Sequence, residues 1–184
     1  VAYVGRIDST KRPGLGELVE ALESIPGIQL KVASNERVQG RQVESMGWLE
    51  DVAPLLARSH VAVGTGRAVR EALACGCVAL VLGKTYEGVV TPALLPGKTK
   101  GFPSFSGMNG DPPRRHKIRR DLIQLLSNKE RWRALARFSR RFAVDRLSLS
   151  FAIQEHLSVY ESLLSPSGKK PIDAPSRGER REAI

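Results

Sequence analysis

Two short apolar runs that enclose a helical stretch constrain the fold of this chain more than any other feature. Residues 61–63 and 78–82 are continuously apolar, and residues 67–74 between them have the composition of a helix. Strands that are continuously apolar, rather than alternating with polar residues, are typical of a parallel sheet that is covered on both faces. Two glycines, Gly64 and Gly66, mark the point where the first run passes into the helix.

Further runs of the same kind precede this unit and predict an α/β fold. The predicted strands are residues 1–5, 28–32 and 43–46, and the predicted helices between them are residues 13–25 and 52–57. Because strands and helices alternate along the chain, we expect one open parallel sheet with helices on both faces.

The second half of the chain has a different composition. Residues 86–113 are rich in glycine, proline and serine, and they predict a long irregular segment of the kind that is usually functional or mobile. Amphipathic patterns then predict a helical C-terminal segment that ends with residues 151–164, whose apolar side chains are expected to face inward. The polar residues 165–184 predict a disordered tail, so the predicted domain covers residues 1–164.

The chain has a formal net charge of +10, which favours an anionic partner such as a nucleotide, a nucleic acid or an acidic lipid surface. Much of this excess lies in residues 114–141. A solvated helix face is the simplest interpretation, and contact with an anionic membrane surface is the functional alternative. Aromatic residues make up 5% of the chain and do not alternate with the cations, so nucleic acid is not an expected partner.

Cellular location follows from the apolar runs, none of which approaches the roughly 20 residues that cross a bilayer. No secretory signal is recognisable in the first residues, which have the pattern of a strand already under way. We therefore expect a cytoplasmic protein, with a peripheral position at the inner face of the membrane as an extension of that expectation. The abrupt start also predicts that a preceding domain is missing.

Cysteine and histidine do not predict a metal site or a disulfide framework. Cys75 and Cys77 are the only cysteines of the sequence. They are too few for a disulfide framework and a C-x-C pair alone is a poor zinc site, so we expect buried, reduced thiols. The three histidines, His60, His116 and His156, lack the spacing of metal ligands. We therefore predict no metal-binding residues.

The glycine corner, residues 64–67, is the first candidate binding element. Its residues are Gly64, Thr65, Gly66 and Arg67. Glycines allow a backbone to approach an anion closely, and the free N–H groups at the start of a helix point towards it. The corner therefore predicts a phosphate-binding site, although a plain tight turn would have the same sequence.

Two cations on the loop after the first strand are the second element. Arg6 and Lys11 follow that strand, and ligands of open parallel sheets bind at the carboxyl ends of the strands. A guanidinium and an ammonium could together bind a diphosphate. The alternative is that both are solvated loop residues.

Glu71 lies among apolar residues of the helix that follows the corner. Its carboxylate could bind sugar hydroxyls, or it could pair with Arg67 one turn earlier on the same helix.

Three segments occur in an order that resembles a known family. They are Gly5-Arg6-Ile7-Asp8 with Lys11, residues 46–52 (Met-Gly-Trp-Leu-Glu-Asp-Val), and residues 70–76 (Arg-Glu-Ala-Leu-Ala-Cys-Gly). Over about residues 1–90 the chain resembles the C-terminal, donor-binding, Rossmann-like half of GT-B glycosyltransferases of family 4, the retaining group 1 enzymes.

The resemblance implies a role for each matching residue. Arg6 and Lys11 match the cations that hold the donor diphosphate, and the backbone of Leu49 matches a position that contacts the nucleobase. Glu71 matches the second glutamate of the E-x7-E motif, which binds the ribose. Gly66 matches the glycine whose turn faces the phosphates or the donor sugar.

One departure from the family's pattern concerns the first glutamate of E-x7-E, which would fall at Val63. The chain therefore resembles a subgroup with a G-x-G-R corner in place of that glutamate. In this subgroup residues 83–92 and 104–107 are expected to form a further loop of the site. Either Arg67 or the loop of residues 86–91 is expected to replace the missing carboxylate.

The resemblance thus implies the donor domain of a hexosyltransferase-type enzyme whose other partner is its own N-terminal domain. A nucleoside-diphosphate sugar is the implied substrate, with no metal or other cofactor, and no catalytic residue is assigned. The isolated domain is expected to bind nucleotide without catalysing transfer. Two alternatives remain: a non-catalytic nucleotide- or membrane-interaction module with a degenerate site, and half of a sugar-nucleotide epimerase.

Overall fold

The computed structural model describes residues 1–95 and 104–164. The chain divides into two compact units, Val1–Leu147 and a second one that begins at Ser148. The first unit contains the sheet, and the described part of the second is a single helix. The predicted tail, residues 165–184, lies outside the described residues.

The first unit is built on one six-stranded sheet with the strand order β3-β2-β1-β4-β5-β6. All neighbouring strands are parallel except β6, which runs antiparallel to β5. The strands are β1 (Ala2–Val4), β2 (Leu30–Ala33), β3 (Val43–Gly47), β4 (Val61–Gly64), β5 (Val78–Leu82) and β6 (Tyr86–Val89).

Helices cover both faces of this sheet, as the sequence predicts. The helices α1 and α4 pack on one face, and α2 and α3 pack on the other, while α5 contributes to both core clusters. The helices are α1 (Arg12–Glu23), α2 (Ala53–Ala57), α3 (Arg67–Ala74), α4 (Arg115–Leu126), α5 (Lys129–Leu147) and α6 (Leu149–Leu164). The predicted α/β, Rossmann-like architecture with a helical C-terminal segment is therefore confirmed.

The buried strands show why their sequences are apolar without interruption. In β1, Tyr3 belongs to the core beneath α1, whereas Ala2 and Val4 belong to the core beneath α2 and α3. Successive side chains of a strand point to opposite faces, so a strand with helices on both sides needs apolar residues at every position.

The strand β6 corrects the expectation that the chain is irregular from residue 86 onwards. Leu82 pairs with Tyr86 across a tight connection, so β5 and β6 form an antiparallel hairpin at the edge of the sheet. Two of the four residues of β6, Glu87 and Gly88, have low strand propensity, which explains why the sequence pattern missed it.

The helix α6 has the predicted position but not the predicted burial. It begins two residues earlier than expected, and none of its residues is buried. The side chains of Ile153, Leu157, Tyr160 and Leu163 are each about half exposed or more, which corrects the expectation that they face inward. Among the described residues, no helix combines the length and apolar character that a bilayer crossing requires.

A candidate site at the switch point of the sheet

The order of the strands creates a crevice between β1 and β4. The connection from β1 through α1 leads to β2 on one side, whereas the connection from β4 through α3 leads to β5 on the other side. Val4 pairs with Gly64, so the chain leaves these two neighbouring strands side by side. Open α/β sheets bind ligands at such a switch point, outside the carboxyl ends of the strands.

Two candidate elements therefore meet at one edge of the sheet. The loop with Arg6 and Lys11 follows β1, and the glycine corner follows β4. Because α1 and α3 cover opposite faces, these two segments line opposite sides of the crevice.

Asp8 organises the loop after β1. Its Oδ1 atom accepts hydrogen bonds from the backbone N–H of Thr10 at 3.0 Å, from the Thr10 hydroxyl at 2.6 Å and from the N–H of Lys11 at 3.1 Å. The Thr10 hydroxyl contributes most to lowering the pKa of Asp8 to about 2. The carboxylate is thus charged at neutral pH and fixes the chain at the start of α1, where Lys11 is the capping residue.

The two cations of the loop differ in how they are held. The Lys11 Nζ atom lies 3.4 Å from Asp8 Oδ2 and donates to the carbonyl of Arg6 at 3.3 Å. The Arg6 side chain is exposed and has no hydrogen-bond or ion-pair partner among residues 1–95 and 104–164. An anion in the crevice would therefore meet the Arg6 guanidinium without displacing a protein contact.

Asn35 is a structural residue of the site that the sequence analysis missed. It lies just beyond β2, and its Oδ1 atom accepts from the N–H of Ile7 at 2.7 Å while its Nδ2 atom donates to the carbonyl of Ile7 at 3.3 Å. Ile7 itself is buried. This amide ties the loop with Arg6 to the neighbouring strand. A polar side chain two residues beyond a buried strand was the available signal for the residue, although not for its bond to Ile7.

The glycine corner is closely packed, and part of it is already hydrogen-bonded. A Cβ atom on Gly64 would lie 2.7 Å from the carbonyl oxygen of Val4, so only glycine allows this approach of β4 to β1. Gly66 has φ +55° and donates its N–H to the carbonyl of Phe105 at 2.7 Å. One of the N–H groups expected to bind a phosphate is therefore occupied by the protein itself.

Residues 104–107 lie against the corner. A Cβ atom on Gly107 would lie 2.7 Å from Thr65 Cγ2 and 2.8 Å from the backbone nitrogen of Gly83. The carbonyl of Gly107 also accepts from the N–H of Thr85 at 2.8 Å. These residues are thus in contact with the corner; their role towards a ligand stays a prediction, and residues 96–103 lie outside the described residues.

Glu71 is paired with Arg67, which is one of the two alternatives that the sequence offered for this carboxylate. Its Oε1 atom lies 2.7 Å from Arg67 Nε, one helical turn earlier. The Arg67 side chain is 85% exposed and that of Glu71 is 31% exposed. An ion pair this exposed contributes only a few tenths of a kcal/mol, so a ligand hydroxyl can replace Arg67 at little cost.

The end of β3 places Trp48 and Leu49 at the same edge of the sheet. The N–H of Ser34 donates to the carbonyl of Gly47 at 2.9 Å, which aligns the ends of β2 and β3. Trp48 is 62% exposed, whereas the Leu49 side chain packs against the core beneath α2. The half-buried Leu49 thus follows β3 at this edge of the sheet, and its contact with a ligand stays a prediction.

One cavity among the described residues lies largely outside this crevice. It has a volume of about 800 Å³, and Val1, Gln29 and His60, which line it, directly precede β1, β2 and β4. These three residues lie at the amino ends of the strands, whereas Leu49, which also lines the cavity, follows the carboxyl end of β3. The loop after β1 and the glycine corner meet instead in the crevice at the carboxyl ends of the strands.

Cysteines and metal ligands do not add a second reactive centre. The thiol of Cys77 is buried and donates to the carbonyls of Leu56 and Ser59, and burial raises its pKa to about 12. Cys75 is half-buried, and burial is again the main cause that raises its pKa. Within the described ranges, no group of three His, Cys, Asp or Glu residues is arranged to hold a metal ion.

Several solved glycosyltransferase structures share this fold. HepE from Anabaena, crystallised with UDP and glucose, is 15% identical with a TM-score of 0.62, over 88% of this chain and 47% of that chain. A glycosyltransferase from Rickettsia africae is 16% identical with a TM-score of 0.64, over 90% and 48%. The C-terminal domain of a group 1 family glycosyltransferase (LpcC) from Francisella tularensis is 18% identical with a TM-score of 0.55, over 80% and 85%.

No protein-family model matches the chain, and no curated protein sequence is significantly similar to it. The chain spans about half the length of the first two structures. At this level of sequence identity the likeness concerns the fold: the chain has the Rossmann-like α/β architecture of one half of these glycosyltransferases.

Proposed function

We propose that this domain binds a nucleoside-diphosphate sugar as the donor half of a retaining glycosyltransferase. The observation that carries the proposal is the meeting of two segments distant in sequence, the loop with Arg6 and Lys11 and the glycine corner, at the switch point between β1 and β4. Two sequence motifs of the resembled family thus converge where α/β sheets bind ligands.

The proposed assignment gives each group one part of the ligand. Arg6, with Lys11 beside it, binds the diphosphate, and the carboxylate of Glu71 exchanges Arg67 for the ribose hydroxyls. The backbone of Leu49 contacts the base. When the bond from the anomeric carbon to the diphosphate breaks, negative charge grows on the leaving phosphate, and the two cations stabilise it in place of a metal ion.

Two comparisons support this proposal. The structure of HepE contains UDP and glucose, so a protein with this fold binds a nucleoside diphosphate and a sugar. The match to a separate C-terminal domain over 85% of its length is consistent with a donor domain that is a unit of its own. Acceptor binding and transfer would then need the partner domain of the intact enzyme.

A non-catalytic module is the second candidate, and one observation favours it. The N–H of Gly66 is hydrogen-bonded to Phe105, and Glu71 is paired with Arg67, so two of the proposed ligand groups already have protein partners. In a degenerate site these contacts would be permanent. In a donor site the exposed pair would exchange with the ligand.

Calorimetric titration of the chain with UDP, GDP and ADP, in the presence of a metal chelator, tests the proposal. We expect one of the three to bind, and both Arg6→Ala and Glu71→Ala to weaken it at least tenfold, since each removes about 1.5–3 kcal/mol of charge-assisted hydrogen bonding. Arg41→Ala is the matched control, because Arg41 precedes β3 at the opposite edge of the sheet. Equal affinities for Arg6→Ala, Glu71→Ala and Arg41→Ala would contradict the assignment.

A further inference from the structure

The two basic helices α4 and α5 differ in how their cations are neutralised. Three cations of α4 form ion pairs within the protein, and a fourth, Arg119, donates to the hydroxyl of Ser24 at 3.0 Å. The ion pairs are Arg115 with Glu20 at 3.2 Å, Lys117 with Asp111 at 2.7 Å, and Arg120 with Asp121 at 3.0 Å. The positive charge of α4 is therefore largely neutralised by the protein itself.

In α5 the outer face is not neutralised. Of its 19 residues, seven are lysine or arginine and two are acidic. Arg133, Arg137 and Arg141 follow one another at intervals of four residues and are all exposed. Their side chains have no ion-pair or hydrogen-bond partner in the described ranges 1–95 and 104–164, and neither acidic residue of the helix pairs with them. We call these three residues the arginine stripe.

The stripe is a straight ridge of like charge. Its ends are eight residues apart, which corresponds to about 12 Å along a helix. Like charges at this spacing repel one another, so the arrangement is unfavourable unless an anion outside the domain neutralises it. The helix tolerates it because its opposite face, with Leu135 and Ala143, is buried in the core.

We propose that the arginine stripe binds the surface of an anionic lipid bilayer. A row of cations along the outer face of a helix can contact the headgroups of a flat bilayer surface simultaneously, and each cation near such a surface adds to the attraction. Val144, which is 51% exposed, lies one turn beyond Arg141 and adds an apolar contact to the same ridge.

Nucleic acid is the less suitable partner for this ridge. Proteins that bind single strands usually place aromatic side chains beside their cations, so that bases stack on them. The aromatic residues of α5 are Trp132, Phe138 and Phe142, and all three pack against the protein core. The stripe therefore offers charge and aliphatic surface without a stacking platform.

Vesicle co-sedimentation of the 184-residue chain tests this inference. The vesicles contain equal parts of phosphatidylglycerol and phosphatidylcholine, or phosphatidylcholine alone, at low and at high salt. The test variant is Arg133→Gln/Arg137→Gln/Arg141→Gln, and the matched control is Arg115→Gln/Arg119→Gln/Arg120→Gln, which removes the same charge from α4. Circular dichroism verifies that each variant is folded, and Arg137→Gln alone provides a smaller step.

We expect binding to the anionic vesicles at low salt only, about a hundredfold weaker for the stripe variant and about fivefold weaker for Arg137→Gln. The α4 control should keep most of its affinity. Absence of binding at low salt would overturn the proposal, and so would equal losses in both triple variants. Tighter binding to a DNA duplex than to the vesicles would identify a nucleic-acid surface instead. None of these outcomes depends on the nucleotide site.

Discussion

Replacement of Asn35 by alanine tests whether the loop after β1 is held in place from β2. Asn35 is the residue whose side-chain amide makes two hydrogen bonds to the backbone of Ile7, at 2.7 and 3.3 Å. Alanine removes both bonds and leaves the N–H of a buried residue without its acceptor. Asn35→Asp keeps an acceptor for the shorter bond and loses only the donor of the longer one.

The expected magnitude follows from the number of bonds. A hydrogen bond of this kind contributes about 0.5–1.5 kcal/mol, so Asn35→Ala should lower the free energy of unfolding by about 1–3 kcal/mol. For a domain of this size, about 2 kcal/mol corresponds to a fall in Tm of about 4–8 °C. Asn35→Asp should lie between the wild type and Asn35→Ala.

Thermal unfolding followed by circular dichroism measures these differences, and hydrogen exchange at the Ile7 amide reports on the bond directly. Asn109→Ala is the matched control, since within the described ranges the Asn109 side chain makes one bond, which is exposed, to the hydroxyl of Ser106 at 3.3 Å. The reasoning is refuted if Asn35→Ala melts within about 1 °C of Asn109→Ala, or if the Ile7 amide stays equally protected in both.

Two further predictions concern the same crevice. Gly64→Ala should lower the free energy of unfolding by about 1–3 kcal/mol, because the new Cβ atom would lie 2.7 Å from the Val4 carbonyl oxygen. Gly16 is an exposed helical residue, so the control Gly16→Ala should be neutral or stabilising, and urea unfolding compares the two variants. Asp8 should titrate with a pKa of about 2 in an NMR experiment, so its stabilisation of the loop is fully present above about pH 4 and is lost as the pH falls through 2. A titration midpoint near 3.8 in the wild type would contradict this, and so would an Asp8 pKa that does not rise in the variant Thr10→Val.

The fold could be predicted from sequence wherever a strand is buried on both faces. The strand β5 has the bounds that its apolar pattern predicts, because all five of its residues are buried. The helix α3 also has its predicted bounds, and it buries one face with Val69, Ala72 and Leu73. The edge strand β6 could not be predicted in the same way. Among the described strands it has one neighbour, β5, and two of its four residues have low strand propensity. Its first residue also donates a hydrogen bond to a distant part of the chain, from the Tyr86 N–H to the carbonyl of Asp111.

Only those parts of the site that consist of local sequence motifs could be predicted. Glycines after a strand and cations on the next loop indicate where a ligand can bind, and the topology brings both to the switch point. The bond from Asn35 to Ile7 and the bond from Gly66 to Phe105 join residues that are far apart in sequence, so no local pattern predicts them. The amphipathic pattern of α6 likewise predicts a helix but not what covers its apolar face.

The two sides of the crevice are prepared for a ligand to different degrees. On the β1 side, Asp8 and Asn35 fix the loop while the Arg6 guanidinium has no partner in the described structure, so an anion gains a charge-assisted contact without first breaking one. On the β4 side, the N–H of Gly66 and the carboxylate of Glu71 are already bonded to Phe105 and Arg67. A nucleotide should therefore gain more from the β1 side than from the β4 side, where binding first has to exchange the exposed Arg67–Glu71 pair. Of the two variants that weaken binding, Arg6→Ala should have the larger effect and Glu71→Ala the smaller one.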